Sequence, residues 1–400
     1  MALDIGTKIG SPLAFSKRGC SLIGQEMFKV LDRARELEEE GIRVYHLELG
    51  NPRLRPPREI LDATIASIQQ LDLGYTPSAG IPELRRALAE RYRSRVGRSI
   101  NEGNIVISPA NFLINQFLEL TCDPGDRVVM LTPAFPTYLA ATAHMGLDVV
   151  DVPLDLDHGF DLTELKIHEA LSAHPKAILV NSANNPTGTV YRQEVLARLA
   201  ARCEEEGIWL LSDETYAELC YDRPFYSLAA LDLPQLVVIS SFSKIFSIPG
   251  FRVGYAIAQQ AVAEKLALSS STLMSCLPAF TQWGCLAGVH VMEQYVAQVR
   301  ESFARNAAAC SQLINESGVL CCTPPQSGFY IFLDISATKL TDLEFAHRLL
   351  QEHHTAVTPG RSFGSAYTTF IRIAICGKLE DVREGITRVL ALARSCVESR

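Results

Sequence analysis

Between residues 104 and 256, short runs of aliphatic and β-branched residues alternate with longer stretches whose apolar positions recur every three or four residues. The short runs at 104–108, 127–132, 148–152, 177–181, 208–212, 236–240 and 253–256 predict seven strands. The stretches at 113–121, 137–144, 162–171, 192–206 and, more weakly, 214–220 predict helices between them. Strand and helix in strict alternation is the pattern of a mostly parallel sheet wrapped by helices, an α/β fold.

The flanks read differently. An amphipathic helix is expected at 27–40, closed by Gly41, then a short strand at 44–49 and a turn at Gly50-Asn51-Pro52. After the alternating block come a long helical pattern at 278–317, strands at 328–334 and 369–375, and helices at 342–353 and 378–396. These C-terminal elements predict a smaller α+β domain. No Pro/Gly/Ser-rich linker and no internal repeat separates the parts. The expected division is an N-terminal segment 1–50 packing with the small domain, a large domain at 51–285 and a small C-terminal domain at 286–400.

Composition narrows the function classes. The chain has 400 residues, 48% hydrophobic and 20% charged, enough to bury a large core. Its net charge of -8 comes without any block of Lys or Arg to neutralise a phosphate backbone or an anionic lipid surface, so neither nucleic acid nor membrane is an expected partner. The first nineteen residues lack an apolar leader core, and no run of about 18 apolar residues occurs. Eleven cysteines, an odd number at scattered spacing, fit reduced thiols, and no Cys/His spacing suits a metal. The expectation is a cytoplasmic protein without a metal centre.

The chemistry collects just after several strands, the edge where ligands bind in open parallel sheets. Ser182-Ala183-Asn184-Asn185-Pro186-Thr187-Gly188 follows one run, Asp213-Glu214-Thr215-Tyr216 a second, and Ser241-Phe242-Ser243-Lys244 a third. Pro249-Gly250-Phe251-Arg252-Val253-Gly254 lies close behind. Singly, each has a plain structural explanation: turn chemistry, a helix cap, a solvated lysine. Together, the Asn-Pro-x-Gly motif, the Asp-x-x-Tyr pair and the Ser-x-Ser-Lys to Gly-x-Arg-x-Gly spacing resemble the fold-type-I pyridoxal-phosphate enzymes, specifically the class I/II aminotransferases, over nearly the whole chain.

That resemblance implies a set of roles. Lys244 would hold the aldehyde cofactor, pyridoxal 5'-phosphate, as a Schiff base and move a proton once substrate displaces it. Asp213 would keep the pyridine nitrogen protonated, while Asn185 and Tyr216 would hydrogen-bond the ring's phenolic oxygen. Ser241 and Arg252 would hold the phosphate, with Ser243 a weaker candidate. Ala110 and Asn111, opening a helix in Ser108-Pro109-Ala110-Asn111-Phe112, would add backbone amides. Pro109 stands there in place of the family's glycine and has no N–H to give. Phe135 would stack on the ring. Tyr75, in a Tyr-x-x-x-x-Gly-x-x-x-Leu-Arg pattern, would reach the neighbouring subunit's phosphate in a homodimer with shared active sites.

Substrate binding needs an anchor for the α-carboxylate. Arg372 lies inside the apolar run Phe370-Ile371-Arg372-Ile373-Ala374, where burying a guanidinium is costly without an anionic partner. By resemblance it is the carboxylate-binding arginine, with Gly50 and Asn185 completing the clamp. The side-chain pocket is less defined: residues 23–27, Arg53, Arg55 and Arg361 are its candidates. The implied reaction is ping-pong transfer of an amino group from an L-amino acid to a 2-oxo acid. A lyase, synthase or oxidase on the same scaffold is the alternative, because orientation at Cα decides which bond breaks. A non-catalytic sensor domain fits poorly, since Lys244 is present.

Overall fold

The computed structural model describes residues 15–398; the expected leader-free N-terminus falls mostly outside them. The described residues form twelve strands: β1 (Tyr45–His46), β2 (Ile105–Ser108), β3 (Arg127–Thr132), β4 (Asp148–Pro153), β5 (Ala177–Asn181), β6 (Trp209–Asp213), β7 (Leu236–Ser241), β8 (Gly254–Ala258), β9 (Tyr330–Asp334), β10 (Thr355–Ala356), β11 (Thr358–Pro359) and β12 (Phe370–Ala374).

Seven of them make one sheet in the order β2-β8-β7-β6-β5-β3-β4. The β7-β6-β5-β3-β4 stretch is parallel, and β8 runs antiparallel to both of its neighbours. Burial explains why the central runs are apolar at nearly every position. In β3, Val129 and Leu131 join the core on one face while Val128 and Met130 join the core on the other. In β5, Ile178 and Val180 face the first and Ala177 and Leu179 the second, as a two-residue repeat covered by helices on both sides requires. Each such aliphatic side chain contributes about 1.5–3 kcal/mol by leaving water.

Strand direction sets where side chains gather. The C-terminal ends of β3, β5, β6 and β7 lie along one edge. Because β8 is reversed, its N-terminal end reaches that edge, and β2, reversed again, brings its C-terminal end there too. Residues just after β2, β3, β5, β6 and β7, and just before β8, therefore converge although they are spread over 150 residues of sequence.

A second sheet, β11-β12-β9, is antiparallel, and β1 pairs in parallel with β10. The helix Glu26–Glu39 packs through Ala34 and Leu37 with Val44, Leu350 and Ala356, so the N-terminal segment joins the C-terminal elements. Helix Asp342–His353 opens with a capping box between Thr341 and Glu344. Helix Ala279–Asn315, 37 residues and about 55 Å long, runs unbroken past position 285. Gly284 and Gly288 let it approach Thr64, Ile60 and Phe246 closely: a Cβ at Gly284 would stand 2.3 Å from Thr64 Oγ1.

Two expected elements are shorter than the apolar pattern implied. The strand at 44–49 forms a ladder only at Tyr45–His46. Beyond it, Leu47 O accepts from Ala374 N, and Glu48 O accepts from Arg372 and Thr358, so those carbonyls leave the ladder for other partners. The weak helix at 214–220 is a single 3-10 turn, Ala217–Leu219, because Asp213 Oδ1 takes the Thr215 amide in a local side-chain bond that competes with a helix start. Among the described residues no helix is long and apolar enough to cross a membrane.

Candidate active site

A cavity of about 540 Å³ opens at the converging edge. Its lining includes Gly50, Ala110, Asn111, Phe135, Asn185, Asp213, Tyr216, Ser241, Ser243, Lys244, Arg252 and Arg372. Every candidate for the cofactor and for the α-carboxylate except Tyr75 is therefore in one place. Tyr75 is 91% exposed on the surface of the single chain.

Lys244 sits in the short turn of helix Phe242–Ile245, started by Ser241, whose Oγ accepts from Ser243 N at 3.1 Å. Its Nζ donates to Gly50 O at 2.6 Å. Burial pushes its ammonium down to about 8, with Arg372 and Arg252 pushing the same way against an opposing effect of Cys376. An ammonium lowered this far gives up its proton more readily than a solvated lysine, as a nucleophile or base must.

Asp213 ends β6 and is buried. Tyr138 Oη donates to its Oδ2 at 2.7 Å, and Thr215 N donates to its Oδ1 at 3.0 Å. Burial raises its carboxyl above the ordinary value, while the hydrogen bonds from Thr215 and Tyr138 pull it back. Behind it Asn181 ties two strand ends together, donating to Asp213 O at 3.0 Å and accepting from Asn185 N at 2.8 Å. Tyr216 Oη shares a hydrogen bond with Tyr330 Oη at 3.0 Å, and burial pushes the Tyr216 phenol well up.

The anion-binding corner fits a phosphate. Helix Ala110–Thr121 starts with no side-chain cap, and its first residues line the cavity, so its N-terminal amides and positive dipole end face it. Pro109 is the N-cap with extended geometry, and the lack of an N–H there leaves Ala110 and Asn111 as the opening residues. Gly254 lets β8 come this close, since a Cβ on it would meet Ala110 N at 2.9 Å and Ser240 O at 2.7 Å. Arg252 holds a left-handed backbone at φ 58°, and its Nη1 is fixed by Pro249 O at 2.9 Å. Cationic, hydroxyl and amide donors on one side, a buried carboxylate on another and an amine between them match the needs of a phosphorylated pyridine aldehyde.

Arg372 is 1% exposed, yet no carboxylate lies within ion-pair distance of it among the described residues. Its Nη1 donates to Asn185 Oδ1 at 3.1 Å; its Nη2 donates to Glu48 O at 2.5 Å and Thr358 Oγ1 at 3.2 Å. Its Nε has no partner. The rings of Tyr330 and Phe363 lie 4.3 and 5.0 Å from the guanidinium carbon. Neutral acceptors and aromatic faces hold the cation in place without neutralising it.

Gly50 is required by packing: a Cβ there would stand 1.7 Å from Tyr330 Oη. Of the side-chain candidates, Gln25 and Met27 from 23–27 line the cavity. Arg53 and Arg55 are exposed outside it. Arg361 is committed to Asp342, with Nε 2.8 Å from Oδ1 and Nη2 2.6 Å from Oδ1. Sequence reasoning missed Tyr138, Thr215, Asn181, Phe28 and Tyr330. Tyr138 had a readable signal, one helical turn after Phe135; Tyr330 had none, because it arrives from a distant strand.

A profile of the aminotransferase class I and II family matches residues 42–389. A probable aspartate/prephenate aminotransferase of Aquifex aeolicus is 32% identical over 89% of this chain and 93% of its own. A (5-formylfuran-3-yl)methyl phosphate transaminase of Methanocaldococcus jannaschii is 31% identical over 94% and 98%. The solved aspartate aminotransferase from Thermus thermophilus with maleate superposes with a TM-score of 0.90 at 29% identity, covering 95% of this chain and all of that one. All three are named for amino-group transfer, and they lend nothing to the lyase, synthase or oxidase alternative. The chain belongs to the class I and II aminotransferases, pyridoxal-phosphate-dependent enzymes that pass an amino group between an amino acid and a 2-oxo acid.

Proposed function

We propose that the cavity around Lys244 is the transamination site of this aminotransferase. One observation carries the reading: a buried guanidinium without an anionic partner, Arg372, shares one cavity with a lysine whose ammonium is pushed down to about 8. A fixed cation for a carboxylate, and beside it an amine that gives up its proton readily, are what an α-amino acid requires.

When bound, pyridoxal phosphate supplies an aldehyde that condenses with amines and a ring that withdraws electrons from Cα. The chain's own residues do the rest. Lys244 Nζ would hold the cofactor through its aldehyde carbon and, when substrate displaces it, would serve as the base for the Cα proton. Asp213, its position fixed by Tyr138 and Thr215, holds a proton on the pyridine nitrogen. Asn185 and Tyr216 donate to the phenolic oxygen, and Phe135 covers the ring face and excludes water. Ser241, Arg252 and the Ala110 and Asn111 amides hold the phosphate. Arg372 pairs with the α-carboxylate, steadied by Asn185, with Gly50 at its side.

Tyr75 completes the phosphate site of a second copy in a cytoplasmic homodimer. Its 91% exposure in the single chain suits a residue that acts across an interface. The N-terminal segment, through helix Glu26–Glu39, goes with the small C-terminal domain from about residue 286, and the residues from 51 to 285 make the large domain.

The test mixes purified holoenzyme with single amino acids and follows the cofactor's absorbance. Conversion to the amine form, reversed by an oxo acid and abolished by Lys244→Ala, is the expected result. Oxo acid and ammonia released with no acceptor present would overturn it.

A further inference from the structure

Glu48, in the segment that seats Arg372, is a buried charge with no part in the proposed chemistry. Its side chain is 1% exposed, and an ionised carboxylate so placed is costly unless a cation pairs with it. His46 does so. Its Nδ1 lies 2.9 Å from Glu48 Oε1, and its Nε2 lies 3.1 Å from Oε1 of Glu38 in helix Glu26–Glu39. An ionised carboxylate only accepts, so both ring nitrogens must donate, and an imidazole donates from both only as the imidazolium. The hydrogen bond to Glu48, the largest influence, holds the ring above its ordinary 6.5 against the opposing effect of burial, and Glu38 adds to it.

The other charged groups packed on β1 turn elsewhere. Helix Leu379–Glu398 brings Arg388 to the Tyr45 ring, 4.5 Å from its centre, and Arg43 lies over the same ring at 4.9 Å while pairing with Asp381. Tyr45 and His46 point to opposite faces of the strand. β10 sets Thr355 and Ala356, both uncharged, beside Tyr45 and His46. His353 and His354, just before β10, give their carbonyls to Arg388 and to Tyr45 N.

The residue that His46 grips by its side chain holds Arg372 by its backbone: Glu48 O accepts from Arg372 Nη2 at 2.5 Å and from Thr358 Oγ1 at 2.7 Å. Resting on the proposed role of Arg372 as carboxylate anchor, we infer that His46 is a positioning residue for the substrate: its imidazolium fixes Glu48, Glu48 O seats Arg372, and the α-carboxylate binds less tightly once His46 loses its proton. Because the folded value is raised, the pairing is complete below the unfolded value of 6.5 and is lost as pH rises through the higher folded one. Its loss leaves a buried anion without its cation on the residue that holds the anchor, which loosens that carbonyl and opposes the arrival of another negative charge.

The experiment measures kcat and KM of the holoenzyme half-reaction from about pH 6 to about pH 8.5, for one amino acid and for the matching primary amine that lacks the carboxylate. Both donors meet the same cofactor and the same Lys244, so the ratio of their kcat/KM values isolates the anchor. In the parent the ratio should fall at least ~5-fold across this range, through KM rather than kcat. In His46→Gln, which keeps a donor without the charge, the ratio should be level with pH. Should that variant not fold, Glu48→Gln, uncharged and of the same shape, takes its place and should level the ratio likewise. A level ratio in the parent overturns the inference, and so does a fall that the variant retains, which places the titrating group elsewhere. Both results leave the anchor standing. Arg372→Lys, measured beside them, should lower the ratio at about pH 6; a ratio that it leaves unmoved overturns the role of Arg372, and this inference with it.

Discussion

Replacing Arg372 by lysine separates charge from geometry at the proposed carboxylate anchor. The arginine is buried, its two terminal nitrogens are held by Asn185, Glu48 and Thr358, and its guanidinium carbon lies 4.3 and 5.0 Å from the rings of Tyr330 and Phe363. Those contacts fix a fork that meets a carboxylate with two parallel donors. Lysine keeps the positive charge but offers a single ammonium without the fork. Losing one charge-assisted hydrogen bond removes about 1.5–3 kcal/mol, which is a fall of roughly 10- to 150-fold in kcat/KM for an amino acid. The assay is the half-reaction of holoenzyme with one amino donor, followed by cofactor absorbance, beside the matching primary amine that lacks the carboxylate. The amine should react equally with both proteins. A variant within about threefold of the parent toward the amino acid would show that Arg372 does not hold substrate. An equal loss with the amine would trace the effect to disturbed structure, since Glu48 O and Thr358 Oγ1 each lose the hydrogen bond that Arg372 gives them.

Gly50→Ala should cost about 1–3 kcal/mol of stability and lower half-reaction activity at least ~10-fold, because the new Cβ meets Tyr330 Oη at 1.7 Å and moves the carbonyl that accepts from Lys244; unchanged thermal unfolding and rate would refute this. Glu214, buried and bonded by Ser212, Ser227 and the Leu228 amide, has its carboxyl pushed up to about 7, chiefly by burial. Its folded pKa is raised, so its favourable contribution is full below the unfolded value of 4.5 and is lost as pH rises through about 7. Glu214→Gln should therefore raise stability above pH 7, by roughly 3 kcal/mol, and do little near pH 4; thermal unfolding across pH checks it, and a pH-independent difference sinks it. In the cofactor-free protein, the rate of holoenzyme formation should rise to half its maximum near pH 8 and level off by roughly pH 9, where Lys244 is about nine-tenths neutral. A rate that climbs tenfold from roughly pH 9 to pH 10 would place the amine at its ordinary value instead.

The central sheet was legible because β3, β5 and β7 are buried on both faces and leave continuous apolar runs that water-facing strands would not. The candidate site was legible for a related reason: Asn185, Asp213 and Lys244 each follow a strand within a few residues, so one motif carries both position and chemistry. Less was readable where position depends on direction or distance. The reversal of β8, which brings Arg252 to the same edge, leaves no mark on the apolar pattern of 254–258. Helices Arg58–Gln70, Pro82–Val96 and Gln260–Leu273 went unread, and the weak amphipathicity of the second, rich in arginine, explains that case. Tyr330 and Tyr138 act through hydroxyls that cross more than seventy residues of sequence to reach Tyr216 and Asp213, and no local pattern encodes such a contact.

The relation between the proposed proton-moving amine and the proposed carboxylate anchor is set by a stretch of backbone that belongs to neither. Lys244 stands at the edge of the seven-stranded sheet and Arg372 in β12 of the smaller one. Between them runs Leu47-Glu48-Leu49-Gly50: Leu47 N donates to Ala356 O, Leu47 O accepts from Ala374 N, Glu48 O accepts from Arg372, and Gly50 O accepts from Lys244. Two carbonyls two residues apart thus each hold one of the two proposed functional cations. This arrangement survives only if the chain can pass Tyr330, which is why the residue carrying the second carbonyl has no side chain. It also explains why the strand expected over 44–49 ends after two residues: carbonyls spent on a ladder could not hold Arg372 and Lys244. Any displacement of the small sheet relative to the large one would have to carry this segment along or break one of its two cation contacts.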